Sequence, residues 1–118
     1  MPQLETALPA LLDGVADGRC TVADVASLFA ERPARLHGLY PRKGTLQVGS
    51  DADFVVVDPD AAWRVDADAF EFNRNYSPYD GRTLTGRPVA TYLRGRRIAE
   101  DMRTPTAPGT GEELDPGT

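Results

Sequence analysis

Two acids one residue apart, Asp51 and Asp53, have a spacing that could do chemistry. Side chains at i and i+2 of an extended strand share a face, so the pair could present two carboxylates to a cation. The stretch Gly49-Ser50-Asp51-Ala52-Asp53 also reads as turn chemistry, with Asp51 in the turn and Asp53 at a strand entry, bonding nearby backbone N–H groups. Turn chemistry is the favoured reading, because no histidine or third acid sits beside the pair. The chain has one histidine, His37, between Leu36 and Gly38, where it reads as a helix-end residue with a packing or capping role. Its only lysine, Lys43, stands between Pro41 and Gly44, a loop context. A serine nucleophile needs a base within hydrogen-bond reach. Ser27, Ser50 and Ser77 have only His37 to call on, and none lies in a Gly-x-Ser-x-Gly elbow. Glycine spacing of the phosphate-cradling type is absent. The cluster Arg94-Gly95-Arg96-Arg97 could hold an anion, but a charged hairpin tip that keeps a sheet edge soluble is the favoured reading. Catalytic, cofactor-binding and metal-ligating residues are therefore all assigned as none in this chain.

The elements around these residues fall into three textures, expected as a helical segment over 1–40, a strand-rich part over 41–100 and an acidic, disordered tail over 101–118. Leu4, Ala7, Leu8, Leu11, Leu12 and Val15 follow one helix face. Thr6 is the expected N-cap, with Pro9 in the first turn and the exit at Gly14 and Gly18. A second helix begins at Thr21, with Asp24 completing a capping box. Val22, Val25, Ala26 and Phe29 form its expected buried face. Pro33 interrupts it and opens a short turn to Leu36, closed by Gly38.

Gly44 to Val48 reads as a short strand. Asp53 to Asp58 is a continuous apolar run, which predicts a strand covered on both faces and stopped by Pro59. Trp63 to Val65 reads as another short strand. Phe70 to Arg87, rich in Asn, Pro, Asp and Gly, reads as an ordered loop with turns at Ser77-Pro78 and Asp80-Gly81. Pro88 to Ala99 predicts a hairpin turning at Gly95. Thr104 to Thr118 carries one large apolar residue, Leu114, too little to order itself.

Composition narrows the function classes. With 118 residues the chain is one ordinary domain, 41% hydrophobic and 26% charged. A net charge of −5 argues against a broad nucleic-acid footprint. Apolar runs fall well short of the roughly 20 residues that cross a bilayer, and Met1-Pro2-Gln3-Leu4-Glu5 lacks a basic signal-peptide region. One cysteine, Cys20, excludes an internal disulfide and fits a reducing, cytoplasmic compartment. It reads as a small residue near a helix start.

Leu4-Glu5-Thr6-Ala7-Leu8-Pro9, Pro33-Ala34-Arg35-Leu36-His37-Gly38-Leu39 and Lys43-Gly44-Thr45-Leu46-Gln47-Val48-Gly49-Ser50-Asp51-Ala52-Asp53 occur in that order. Tyr76-Ser77-Pro78-Tyr79-Asp80-Gly81-Arg82-Thr83-Leu84-Thr85-Gly86-Arg87 and Arg94-Gly95-Arg96 follow. Together these closely resemble the C-terminal portion of the cyclic amidohydrolases: the dihydroorotases, allantoinases and hydantoinases. The likeness runs from about Leu4 to Glu100 and leans towards the allantoinase and dihydroorotase branch.

That resemblance implies an α+β piece: closing helices of a (β/α)8 barrel up to about Gly38, then most of a small β-sandwich from Lys43 to Ala99. It implies a parent enzyme that hydrolyses a C–N bond of a cyclic amide or ureide. There, zinc or a similar divalent metal activates water, held by a His-x-His pair, a carboxylated lysine, two further histidines and an aspartate. None of these ligands can be carried onto a residue of this chain. Lys43, in its loop, does not match the carboxylated lysine, so no cofactor is expected in this chain. Met1 is read as an internal position and the chain as a fragment, inactive by itself. Its expected partners are the missing N-terminal barrel and sandwich strands of the parent, or a second copy of itself. Nucleic acid and membrane are not expected partners. The other reading is a free-standing, noncatalytic interaction or scaffold module derived from an amidohydrolase.

Overall fold

The computed structural model describes residues 4–71, 76–104 and 108–115. Helix α1, Ala7–Ala16, starts from Thr6 at the N-cap position, without a side-chain cap bond. Pro9 falls in the first turn, where a missing N–H leaves no helical bond unmade. Gly14 lies inside the helix rather than at its exit. The exit is a Schellman motif in which Gly18 N–H donates to the Val15 carbonyl and Arg19 N–H to that of Gly14. Pro9 and Leu12 are the buried apolar residues of the helix, while Leu4 stands in solvent.

Helix α2, Val22–Ala26, begins with the expected capping box. Thr21 Oγ1 accepts from Asp24 N–H at 3.1 Å, and Asp24 Oδ2 accepts from Thr21 N–H at 2.9 Å. The helical backbone then continues through a π-helical turn, Ser27–Glu31, into α3, Arg32–Leu36. Pro33 therefore does not interrupt it. A proline lacks the donor for the carbonyl four residues back and crowds it, and the widened π turn immediately upstream relieves both problems. His37 caps α3, and Gly38 and Leu39 close a second Schellman pair onto Arg35 and Ala34. Of the face expected to be buried, only Val25 is. Val22, Ala26 and Phe29 are exposed, because nothing among the described residues packs over them.

The described strands form one antiparallel sheet, ordered β1-β2-β3: β1 Phe54–Arg64, β2 Thr83–Leu93 and β3 Arg96–Glu100. Gly44–Val48 is a run of turns, not a strand, with Leu46 and Val48 exposed. A strand needs a ladder partner, and none reaches it among the described residues. Pro59 does not stop β1. It falls in the break between Asp58↔Arg87 and Ala62↔Thr85, where no ladder bond is asked of it, so Trp63 and Arg64 belong to the same strand. The loop after Phe70 ends at Thr83, because Thr83 to Arg87 pairs with Arg64 to Asp58. Asn73 and the other residues of 72–75 lie outside the described residues. The turns at Ser77-Pro78 and Asp80-Gly81 are present, with Asp80 N–H donating to the Ser77 carbonyl and Arg82 N–H to that of Tyr79.

The β2–β3 hairpin turns at Arg94-Gly95, both residues at positive φ, as a two-residue turn matched to strand twist requires. Helix α1 lies on β2, and the core between them is small: Leu12, Val65, Ala67 and Leu84, with Val25 and Ala34 beneath the second helical run. Phe54 and Tyr92, paired across β1 and β2, stack at 4.6 Å. The apolar run of β1 is not covered on both faces: Val55 is 40% and Val56 44% exposed. Among the described residues only one layer packs against this sheet. The described part of the tail, 108–115, carries neither helix nor strand.

Candidate functional site

The densest cluster of charged side chains gathers where the turns after α3 meet the start of β1. Gly44 lets the chain pass against the helical run, since a Cβ there would lie 2.6 Å from the Ala34 Cβ and 3.0 Å from the Ala30 carbonyl oxygen. This close approach points Lys43 back towards the segment leading into β1. Its Nζ pairs with Asp51 Oδ2 at 2.8 Å and with Asp53 Oδ2. Arg42 Nε reaches the same Asp51 oxygen at 3.1 Å. The other Asp53 oxygen accepts the Arg94 backbone N–H at 2.8 Å, and Gly95 N–H donates to the Ala52 carbonyl at 2.8 Å. One network thus ties the end of α3, the entry of β1 and the β2–β3 turn.

The electrostatics settle what this cluster can do. Burial alone pushes the Lys43 ammonium down, but its hydrogen bonds to Asp51 and Asp53 and their charges outweigh that and hold it above its ordinary value. The hydrogen bond from Lys43, with help from Arg42, holds Asp51 below the usual carboxylate range against a smaller opposing effect of burial. A lysine held protonated is a poor nucleophile and a poor base at neutral pH. Asp53 does make the backbone bond expected of turn chemistry. Asp51 departs from that reading: its carboxylate faces two cationic side chains.

The remaining candidates stay apart. His37 is exposed at the end of α3. Ser50 Oγ donates to the Pro41 carbonyl at 2.6 Å, and the buried Ser77 Oγ accepts from Tyr79 N–H at 3.1 Å, so both act as turn residues. Ser27 begins the π-helical turn. Cys20 is half-buried, its thiol 3.9 Å from the Leu11 carbonyl oxygen. A polar depression of about 380 Å³ beside α1 is lined by Asp13, Asp17, Arg19, Arg82 and Thr85. Its charges are engaged: Arg19 pairs with Asp17 at 2.9 Å, and Asp13 Oδ1 accepts Thr85 N–H at 2.8 Å. An apolar groove of about 330 Å³ runs between Leu4, Leu8, Phe29, Val55, Val89 and Met102. The roles of Asp13, Arg42 and Arg94 were not read from sequence. The legible signal was the Arg42-Lys43 pair of cations shortly before the Asp-x-Asp.

Comparison with known proteins decides the family. A family profile described as the amidohydrolase family matches residues 3–98. The chain belongs to the amidohydrolase family. It is 46% identical over 110 residues to an L-hydantoinase of Paenarthrobacter aurescens, covering 92% of this chain and 24% of that protein. It is 40% identical over 101 residues to a dihydroorotase of Methanothermobacter thermautotrophicus, covering 86% of this chain and 23% of that one. Among solved structures it matches an L-hydantoinase from Arthrobacter aurescens with a TM-score of 0.85 at 46% identity, over 88% of this chain and 23% of that chain. It matches a D-hydantoinase with a TM-score of 0.90 at 36% identity, over 96% and 25%. The chain thus spans about a quarter of the length of these relatives. They include both hydantoinases and dihydroorotases, so the lean towards one branch gains no support.

Amidohydrolases are generally metal-dependent. A zinc site needs three or four converging nitrogen, sulfur or oxygen donors. Among the described residues no three His, Cys, Asp or Glu side chains come together. Asp51 and Asp53 face Lys43, and His37 stands alone on the surface. The residues described here do not form a resident metal site, and no catalytic step is derived through one.

Proposed function

We propose that this chain is the C-terminal scaffold portion of a metal-dependent cyclic amidohydrolase, one that hydrolyses a C–N bond of a hydantoin- or dihydroorotate-like ring. The chain by itself is noncatalytic in this reading. The observation that carries it is the combination of 46% identity with coverage of only 24% of an L-hydantoinase. The helices before Gly38 are the closing helices of a (β/α)8 barrel, and the sheet is part of a small β-sandwich whose other strands lie elsewhere in the longer polypeptide. Its partners are those missing barrel and sandwich segments. The exposed Val55, Val56 and Phe29 support that reading, since apolar surface of this kind is normally covered. In this role the Lys43–Asp51–Asp53 network braces the join between helices and sheet. Metal and water chemistry belong to the absent barrel, and the compartment is the cytoplasm.

The test has two arms. The purified chain, supplied with zinc, is assayed for hydrolysis of hydantoin, dihydroorotate and allantoin, with no turnover above buffer expected. The in-frame sequence upstream is then read for a His-x-His motif and joined to the chain, and the longer protein is expected to bind metal and hydrolyse one of these rings. Metal-dependent turnover by the 118-residue chain would contradict the scaffold reading. A longer protein with no such motif would favour a free-standing module.

A further inference from the structure

The two sides of β1 differ. One is paired to β2, and β1 stands at the end of the strand order, so the other is an edge of the sheet. The ladder fixes which main-chain groups lie along that edge. Asp101 N–H donates to the Val89 carbonyl at 2.9 Å, flanking the pair Ala90↔Glu100. Successive strand residues turn their N–H and C=O to opposite sides. Val89 and Thr91 therefore turn towards β3, and Ala90 turns towards β1. Val55 lies opposite Thr91, and Val56 lies opposite Ala90. Opposite residues of an antiparallel ladder exchange both bonds or none. Val56 thus exchanges with Ala90, while the Val55 N–H and C=O point out of the edge. Among the described residues no other main-chain bond reaches them.

The edge is open only over its first part. Further along, Asp60 N–H is taken by the Asp58 carboxylate at 3.0 Å, and Pro59 has no N–H to offer. Both features blunt a strand edge. The open part, Phe54 to Val57, is apolar on both faces. Phe54 is fixed by its stack on Tyr92 at 4.6 Å, while Val55 and Val56 remain 40% and 44% exposed.

A strand of the same sequence can meet this edge antiparallel about a two-fold axis. Outward residues must face outward residues, so the axis falls on a residue rather than between two. Centred on Val55, the two copies of that residue exchange both main-chain bonds. Phe54 then lies opposite the second copy's Val56, and Asp53, already neutralised by Lys43, lies opposite its Val57. Centred on Val56 instead, Phe54 would meet the second copy's Asp58, which has no ion pair among the described residues. We propose that two copies of this chain pair through the outer edges of β1, antiparallel about Val55, and so join their sheets into one. This pairing belongs to the chain as it stands and does not rest on the parent-enzyme reading.

The test is amide hydrogen exchange of the full chain at rising concentration, with sedimentation read alongside. The Val55 amide is expected to exchange freely in dilute protein and to slow roughly tenfold as copies pair, following the fraction associated. The Val56 amide, bonded to Ala90 in either state, is expected to be slow throughout. Val55→Pro removes an outward N–H, at a place where edge strands accept proline. It is expected to abolish association while the Leu84 and Val65 shifts stay those of the unsubstituted chain. Association that persists in folded Val55→Pro would overturn the proposal. So would a Val55 amide equally fast at every concentration, a reading that needs no variant. A Val55 amide slow even in dilute protein would also overturn it, since that edge would then be covered within one copy.

Discussion

The Asp13 carboxylate on α1 accepts the backbone N–H of Thr85 in β2 at 2.8 Å, across 72 residues of chain. Thr85 pairs with Ala62 on β1, so this bond anchors the helix at the irregular stretch of the sheet rather than along its regular ladder. Trp63 supports the same place by donating its indole N–H to the Gly86 carbonyl at 2.9 Å. Removing the acceptor leaves a half-buried donor unmatched, so Asp13→Ala is expected to lower stability by about 1–3 kcal/mol. Urea unfolding measures it, and a midpoint equal to that of the parent chain would show that the bond contributes nothing.

Gly86 in β2 packs against Leu12 of α1. A Cβ there would lie 2.7 Å from the Leu12 Cβ, and its φ of +101° disfavours any side chain. Gly86→Ala is therefore expected to cost about 1–3 kcal/mol through overpacking and backbone strain together. Gly111→Ala, where a Cβ meets nothing within 4 Å and φ is not positive, serves as the comparison and is expected to change the melting temperature far less.

Stability should fall at both ends of the pH scale through one network. Asp51 titrates lower in the folded chain than its unfolded value of about 4. Its contribution is present above that value and lost as pH falls through the folded pKa. Lys43 titrates higher than its unfolded value of about 10.4. Its contribution is full below that value and lost as pH rises through the folded pKa. Lys43→Met should blunt the alkaline loss and Asp51→Asn the acid loss, as followed by thermal melts from pH 3 upward. Both limbs persisting unchanged in both variants would remove the network from the account.

The half-exposed valines of β1 distinguish a naked surface from a covered one. Val55→Lys and Val56→Lys are expected to leave the stability of this chain within about 0.5 kcal/mol, as for surface positions. They should also reduce its self-association at high concentration. In the longer polypeptide proposed above, the same lysines would be buried, and the soluble yield should collapse. Equal tolerance in both settings would show that neither valine is covered there.

Much of the local structure is legible in the sequence. The Thr21–Asp24 box, the stop at Gly38 and the turn at Gly95 each depend on residues three or four apart, and such signals survive any tertiary context. The amidohydrolase family was legible too, because its motifs keep their order along the chain. Gly44–Val48 failed as a strand for a different reason. Its glycines and alternation are those of a strand, but a strand exists only with a partner. Val22 and Phe29 failed likewise, since a helix can offer a face that nothing covers.

The charged cluster shows the same division. Sequence placed Asp51 in a turn and Asp53 at a strand entry, and favoured backbone donors over a cation for both. Folding made the choice for Asp51 by swinging Lys43 and Arg42 onto it, which required Gly44 to pass against Ala34. Residue types and short spacings thus determined the caps, the turns and the family by themselves. Only the tertiary structure decided which strands pair, which apolar faces stay bare and which charges meet, because each of these depends on segments distant in sequence coming within a few ångströms.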